Sequence, residues 1–154
     1  MNSVIQEVTD RIIQRSQASR KSYLEKIESA RLHGPHRGVL SCGNLAHGFA
    51  ACGAEDKSDL RSMTKSNIAI VSSYNDMLSA HQPYEAFPAQ LKKAINAVGS
   101  VAQFAGGVPA MCDGVTQGTP GMDLSLMSRD VIAMGTAVAL SHNMFDGTLM
   151  LGIC

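Results

Sequence analysis

Two residues in the carboxyl-terminal half of the chain have side chains that could bind a metal. Asp113 lies in the tripeptide Cys-Asp-Gly of the glycine-rich segment 106–130, and Cys154 is the last residue of the sequence. A carboxylate is a preferred ligand of hard divalent cations, and a thiolate can bind an iron–sulfur cluster or act as a nucleophile. Asp-Gly pairs also form ordinary turns, however, and single cysteines are often simply buried. Spacing alone leaves both explanations open for each residue.

A second polar group follows the apolar run 68–71 and contains Asn75, Asp76 and His81. These side chains could form hydrogen bonds with a polyol or an anion, although Asn-Asp pairs often serve only as turns. The glycines of the segment 106–130 do not form a Gly-x-Gly-x-x-Gly or phosphate-loop pattern, so they give little support to nucleotide binding. We therefore predict substrate contacts at Asn75, Asp76 and His81.

The elements that must position these residues follow from the hydrophobic pattern. Residues 68–71, 100–105 and 148–153 are short apolar runs typical of buried strands. Apolar side chains at three- and four-residue steps predict helices over 84–98 and 124–138. We therefore predict an α/β fold, a three-layer αβα arrangement with a mostly parallel sheet, preceded by a long N-terminal helix over 3–32.

The predicted sheet brings the polar groups to one place. Ligands of open α/β sheets bind beyond the carboxyl ends of the strands. Here those ends are residues 74–76, residues 106–113 and Cys154, which are expected to meet at one edge of the sheet.

The predicted organisation has two parts. Residues 1–66 are a helical arm followed by a solvated connector, and residues 67–154 are a partial βαβαβ domain. The sequence stops within the apolar run LMLGIC, without a polar cap. We therefore expect a fragment of a longer chain.

Composition and charge exclude several classes of protein. Thirteen basic and thirteen acidic residues cancel, which argues against a nucleic-acid or membrane partner. No apolar run approaches the roughly 20 residues that span a bilayer, and the amino terminus lacks the pattern of a signal peptide. No Cys-x-x-Cys pair occurs among the four cysteines, which argues against a zinc ribbon. The expected location is the cytoplasm.

Two stretches resemble a known family. They are SSYNDMLSAHQPYE, at 72–85, and GGVPAMCDGVTQGTPGMDLSLMSRDVIAMGTAVALSHNMFDGTLMLGIC, at 106–154. Both resemble the amino-terminal part of the dihydroxy-acid dehydratase and phosphogluconate dehydratase family. Tyr-Asn-Asp-Met and Met-Cys-Asp-Gly-Val-Thr-Gln-Gly are more similar to the phosphogluconate branch than to the branched-chain amino-acid branch.

The resemblance implies a chemistry and a set of cofactors. The implied reaction is dehydration of 6-phospho-D-gluconate to 2-dehydro-3-deoxy-6-phospho-D-gluconate in the Entner–Doudoroff pathway, with a [4Fe-4S] cluster as Lewis acid. It implies that Cys154 ligates the cluster and that Asp113 binds Mg²⁺ or Mn²⁺. It also implies that the chain is the incomplete amino-terminal domain of a larger enzyme, a homodimer at full length. The remaining ligands and the serine base of relatives are expected outside this chain. Ala80 stands where some relatives have a further cluster cysteine.

Two alternatives remain beside this hypothesis. The chain could belong to a related sugar-acid or dihydroxy-acid dehydratase that acts on another substrate. It could instead be a non-catalytic α/β module that only folds or pairs. Activity of the 154-residue chain without its expected continuation is doubtful under each of these hypotheses.

Overall fold

The structure, a computed structural model, describes residues 2–108 and 110–153. Contacts divide it into two compact units, one ending at Gly34 and the other beginning at Pro35. The first unit is a single helix, α1 (Ser3–Leu32), in which no side chain is buried. The side chain of Asn2 accepts a hydrogen bond from the Val4 amide at 2.9 Å and so caps the first turn. The predicted long N-terminal helix is confirmed.

The second unit contains a parallel sheet of three strands. β1 (Asn67–Ser72) lies at its centre, between β2 (Val101–Gly107) and β3 (Gly147–Leu151). Five of the six residues of β1 are buried, as expected of an apolar strand with a neighbour on each side. The predicted mixed α/β fold with a parallel sheet is confirmed.

Two helices connect the strands. α4 (Phe87–Ala97) runs between β1 and β2, and α6 (Ser125–Leu140) runs between β2 and β3. The connection from β1 to β2 and the connection from β2 to β3 run in opposite directions across the sheet. Because crossovers between parallel strands are right-handed, the helices in these two connections lie on opposite faces of the sheet. This produces the predicted three-layer αβα arrangement.

The segment before the sheet is more ordered than its composition predicts. It forms α2 (Cys42–Phe49) and α3 (Ala54–Ser62), in the part of residues 1–66 for which the sequence predicted a solvated connector. α3 is a helix that the sequence did not predict. Two acidic side chains in its first turn stabilise the helix through their interaction with the positive end of its dipole. Leu60 is fully buried in a cluster with Phe49 and Val101. The buried Leu60 side chain packs this otherwise polar helix against the core.

The connector therefore packs in the same unit as the sheet. The contacts divide the chain after Gly34, whereas the sequence predicted a division after residue 66. The predicted organisation into residues 1–66 and 67–154 stays a prediction.

A buried arginine ties this segment to the amino ends of the strands. Arg37 has no exposed surface, and its guanidinium donates to the carbonyl oxygens of Leu60 and Lys65, each at 2.9 Å. Its Nη1 lies 3.6 Å from Oδ2 of Asp146, which also accepts from the Asn67 amide at 2.8 Å. Burial lowers the pKa of Arg37, and the charge of Asp146 opposes that shift. These contacts join a short 3-10 helix (His36–Val39), α3, β1 and the start of β3.

Candidate functional site

The carboxyl ends of the three strands form one edge of the sheet. β1, β2 and β3 are parallel and end at Ser72, Gly107 and Leu151. The loops that follow them carry the polar residues singled out in the sequence. The sheet therefore has the topology that the predicted convergence requires.

A bulge turns the chain away from β2 toward the glycine-rich loop. Ile70 pairs with Phe104 but Val71 pairs with Gly106, so Ala105 is an extra residue in the ladder. Gly106 has a φ of +152°, a backbone conformation that side-chain-bearing residues rarely adopt. Bulges re-aim strands next to functional sites. Here the bulge lies near the carboxyl end of β2, ahead of the segment that leads to Asp113.

Asp113 is exposed at the start of the one-turn helix α5 (Asp113–Thr116). Its Oδ1 accepts a hydrogen bond from the hydroxyl of Ser125 at 2.6 Å. Ser125 begins α6 and was not singled out from the sequence, because its role depends on how α5 and α6 lie together. The bond orients the carboxylate and leaves Oδ2 as the oxygen that could bind a cation.

Asn75 ties the loop after β1 to the loop after β2. Its Oδ1 accepts from the amides of Met77 and Leu78, both at 3.0 Å, as in an Asx turn. Its Nδ2 donates to the carbonyl oxygen of Ala110 at 3.3 Å. These contacts give Asn75 a structural role, and its contact with substrate stays a prediction.

Asp76 is exposed and is oriented by Tyr74. The phenol of Tyr74 donates to Oδ1 of Asp76 at 2.7 Å. This hydrogen bond is the largest of the causes that raise the pKa of Tyr74 to about 12. The phenol therefore stays neutral and keeps donating near neutral pH. Of the three predicted substrate contacts, the carboxylate of Asp76 is the most accessible.

His81 is buried between the ends of β1 and β3, with 3% of its surface exposed. Its Nδ1 lies 2.8 Å from the Ser73 carbonyl oxygen, and its Nε2 lies 2.8 Å from the Ile153 carbonyl oxygen. Both ring nitrogens therefore face protein groups. Contact between His81 and substrate stays a prediction.

Cys154, the predicted cluster ligand, lies outside the residues that the structure describes. Within 2–108 and 110–153, no group of three or more His, Cys, Asp or Glu side chains could hold a metal ion. The described residues offer two exposed carboxylates at this edge, those of Asp113 and Asp76. The chain also runs from the carboxyl end of β3 into Cys154, a soft sulfur donor. This donor set fits part of a mixed metal site and not a complete one.

An apolar cavity of about 320 Å³ adjoins α5 and α6. Methionines and aliphatic side chains dominate its lining, which includes Met77, Met111, Cys112, Val115, Met127 and Val131. A phosphorylated sugar acid carries two anionic groups, which would be desolvated there without partners. The cavity therefore does not suit the predicted substrate.

In the described part of the chain, no helix is long and apolar enough to cross a membrane.

Comparison with known proteins gives a consistent result. Residues 65–154 match the family model described as dihydroxy-acid/6-phosphogluconate dehydratase N-terminal. The whole chain is 66% identical to a phosphogluconate dehydratase of Pseudomonas aeruginosa and 62% identical to one of Escherichia coli K12. A dihydroxy-acid dehydratase of Lachnospira eligens is 40% identical over 60% of the chain. The chain spans about a quarter of the length of the two phosphogluconate dehydratases, 25% and 26%, and 16% of the Lachnospira protein.

Proposed function

Because the chain belongs to the dihydroxy-acid and 6-phosphogluconate dehydratase family, we propose that it is part of a hydro-lyase acting on 6-phospho-D-gluconate. The observation that carries the proposal is similarity over the whole chain to proteins named phosphogluconate dehydratase, at 66% and 62% identity. The relative named for the other branch is less similar and matches a shorter part. The proposed product is 2-dehydro-3-deoxy-6-phospho-D-gluconate, formed in a step of the Entner–Doudoroff pathway.

The proposed reaction removes one molecule of water. The C2–H and C3–O bonds break, the proton goes to a base outside this chain, and the hydroxyl leaves. The resulting enol then tautomerises to the 2-ketone. Hydroxide is a poor leaving group, so the reaction needs stabilisation of negative charge on the departing oxygen.

The cofactors we propose are a [4Fe-4S] cluster bound by Cys154 and a Mg²⁺ or Mn²⁺ ion bound by Asp113. When bound, these groups supply Lewis acids that stabilise negative charge on substrate oxygens. The chain's contribution is to hold the donors. The hydroxyl of Ser125 fixes Oδ1 of Asp113 at 2.6 Å, which directs Oδ2 as the metal-binding oxygen. Other ligands must come from outside the described residues.

We propose that the loop after β1 contacts the substrate at the carboxyl edge of the sheet. We keep Asn75, Asp76 and His81 as candidates for contact with the sugar acid. The exposed carboxylate of Asp76 could accept hydrogen bonds from sugar hydroxyls, and Tyr74 holds that carboxylate in place. The buried ring of His81 would have to leave two backbone carbonyls to reach substrate.

The experiment that tests the function uses the full-length protein, meaning a polypeptide of family length that carries this chain. It is reconstituted anaerobically with iron and sulfide and then assayed with 6-phosphogluconate, unphosphorylated gluconate and a branched-chain dihydroxy acid. We expect turnover of 6-phosphogluconate. Preference for either other substrate would support the related-dehydratase alternative, and no turnover of any would support the non-catalytic module.

The 154-residue chain treated in the same way should show no turnover of 6-phosphogluconate. The reason is that its described residues contain no complete metal site. The full-length protein in the same assay is the positive control. Robust turnover by the 154-residue chain would contradict the proposal that ligands and base come from outside it.

Replacing Cys154 with serine in the full-length protein should lower the iron content after reconstitution to less than about half of wild type. A hydroxyl is a poorer ligand for cluster iron than a thiolate. Iron content is measured by colorimetric assay and by the charge-transfer absorbance of the cluster. Cys42→Ser, at an exposed position on α2, is the matched control. Iron content equal to wild type in Cys154→Ser would contradict cluster ligation by this residue.

We also propose that the full-length protein is a cytoplasmic homodimer. Support for self-association comes from α1, which exposes an apolar stripe that includes Ile5, Val8, Ile12, Leu24 and Ile27. Analytical ultracentrifugation tests the proposal, and a monomer at micromolar concentration would contradict it. Recovery of the protein in the periplasmic or membrane fraction would contradict the proposed location.

A further inference from the structure

His81 holds a peptide group that lies beyond the last paired residue of β3. The ladder between β1 and β3 ends with Ser72 paired to Leu151. Nε2 of His81 then lies 2.8 Å from the carbonyl oxygen of Ile153. A carbonyl oxygen only accepts, so Nε2 carries a hydrogen and donates it.

Ser73 supports the ring from the other side. Nδ1 of His81 lies 2.8 Å from the Ser73 carbonyl oxygen and 3.0 Å from its hydroxyl oxygen. The amide of Ser73 donates to the carbonyl oxygen of Leu151 at 3.0 Å. The Ser73 hydroxyl lies 2.7 Å from the same carbonyl oxygen, so its single hydrogen can be donated either there or to Nδ1 of His81. The end of β3 is therefore held at two points, at Leu151 by Ser73 and at Ile153 by His81.

We propose that His81 is a positioning residue for the cluster ligand Cys154. Because a peptide group is planar, fixing the carbonyl of Ile153 restricts the directions in which the chain continues into the next residue. The ring that fixes it is itself 97% buried and bonded through both nitrogens. The proposal rests on the proposed function in one respect, the ligation of the cluster by Cys154.

Replacing His81 with glutamine or with asparagine tests the two ring nitrogens separately. Glutamine can place its amide nitrogen near the position of Nε2 and still donate to the Ile153 carbonyl. Asparagine can place its amide nitrogen only near the position of Nδ1. It therefore keeps the contact with Ser73 and loses the hydrogen bond to the Ile153 carbonyl oxygen. His47, exposed on α2, supplies the matched control His47→Asn.

The experiment uses full-length protein reconstituted anaerobically with iron and sulfide. Cluster loss to a ferrous chelator is followed by the decay of charge-transfer absorbance, and KM and kcat for 6-phosphogluconate are measured alongside. We expect His81→Asn to lose its cluster about 10–100-fold faster than wild type, as when a partner that orients a metal ligand is removed. His81→Gln and His47→Asn should stay within about threefold of wild type, since both keep a donor at the Ile153 carbonyl.

Each other outcome overturns a defined statement. Rapid cluster loss in Cys154→Ser together with normal retention in His81→Asn would overturn this inference and leave the proposed function intact. Equal losses in the Gln and Asn variants would show that ring packing matters and the donor does not. A raised KM with unchanged cluster retention would assign His81 to substrate contact. Normal retention in Cys154→Ser would instead overturn cluster ligation, and this inference with it.

Discussion

Asp113→Ala in the full-length protein should lower kcat for 6-phosphogluconate by about a hundredfold to a thousandfold. This is the usual loss when a group that stabilises developing charge is removed. Asp113 is the exposed carboxylate at the carboxyl edge of the sheet that we propose as the ligand of the divalent cation. The fold should be unaffected, because the side chain is exposed and its hydrogen bond is to Ser125 at the surface. Steady-state kinetics over a range of Mg²⁺ and Mn²⁺ concentrations measure the effect.

The matched control is Asp130→Ala, which removes an exposed carboxylate from the same region of the chain. Its kcat should equal that of wild type. Full activity in Asp113→Ala, with the same dependence on divalent cation as wild type, would contradict the metal role. A circular dichroism spectrum equal to wild type would show that any loss is not unfolding.

Arg37→Ala should destabilise the amino end of the sheet by about 3–5 kcal/mol, because it leaves the Asp146 carboxylate without its cationic partner. The substitution also removes the donors to the carbonyl oxygens of Leu60 and Lys65. Amide hydrogen exchange in the full-length protein measures this local loss of stability. Protection of the β1 amides should fall by a hundredfold or more, about 1.4 kcal/mol for each factor of ten.

Two further variants make this result specific. Arg31→Ala breaks an exposed ion pair with Glu28 on α1 and should leave β1 protection unchanged. The two oxygens of Asp146 accept from the amides of His36 and Asn67. Asp146→Asn keeps an acceptor for one of these amides and removes the negative charge, so it should lose less protection than Arg37→Ala. Protection of β1 within about threefold of wild type in Arg37→Ala would contradict the role we give to this network.

The positions of the main elements could be predicted from local pattern. The continuous apolar run of β1 and the helical spacing of α4 and α6 depend on residues close together in the chain. The family could be recognised for the same reason, since its motifs are contiguous. Local pattern failed for α3, because the packing of Leu60 on Phe49 and Val101 outweighs a polar composition.

The partners of the polar residues could not be predicted in this way. Arg37 and Asp146 are 109 positions apart, and His81 and Ile153 are 72 apart. Ser125 meets Asp113 only because α5 lies beside the start of α6. A hydrogen bond requires approach within about 3 Å, which chain folding determines and residue type does not. Local sequence therefore specified which groups were available at the carboxyl edge, and the packing of distant segments selected which of them hold the backbone and which stay exposed for chemistry.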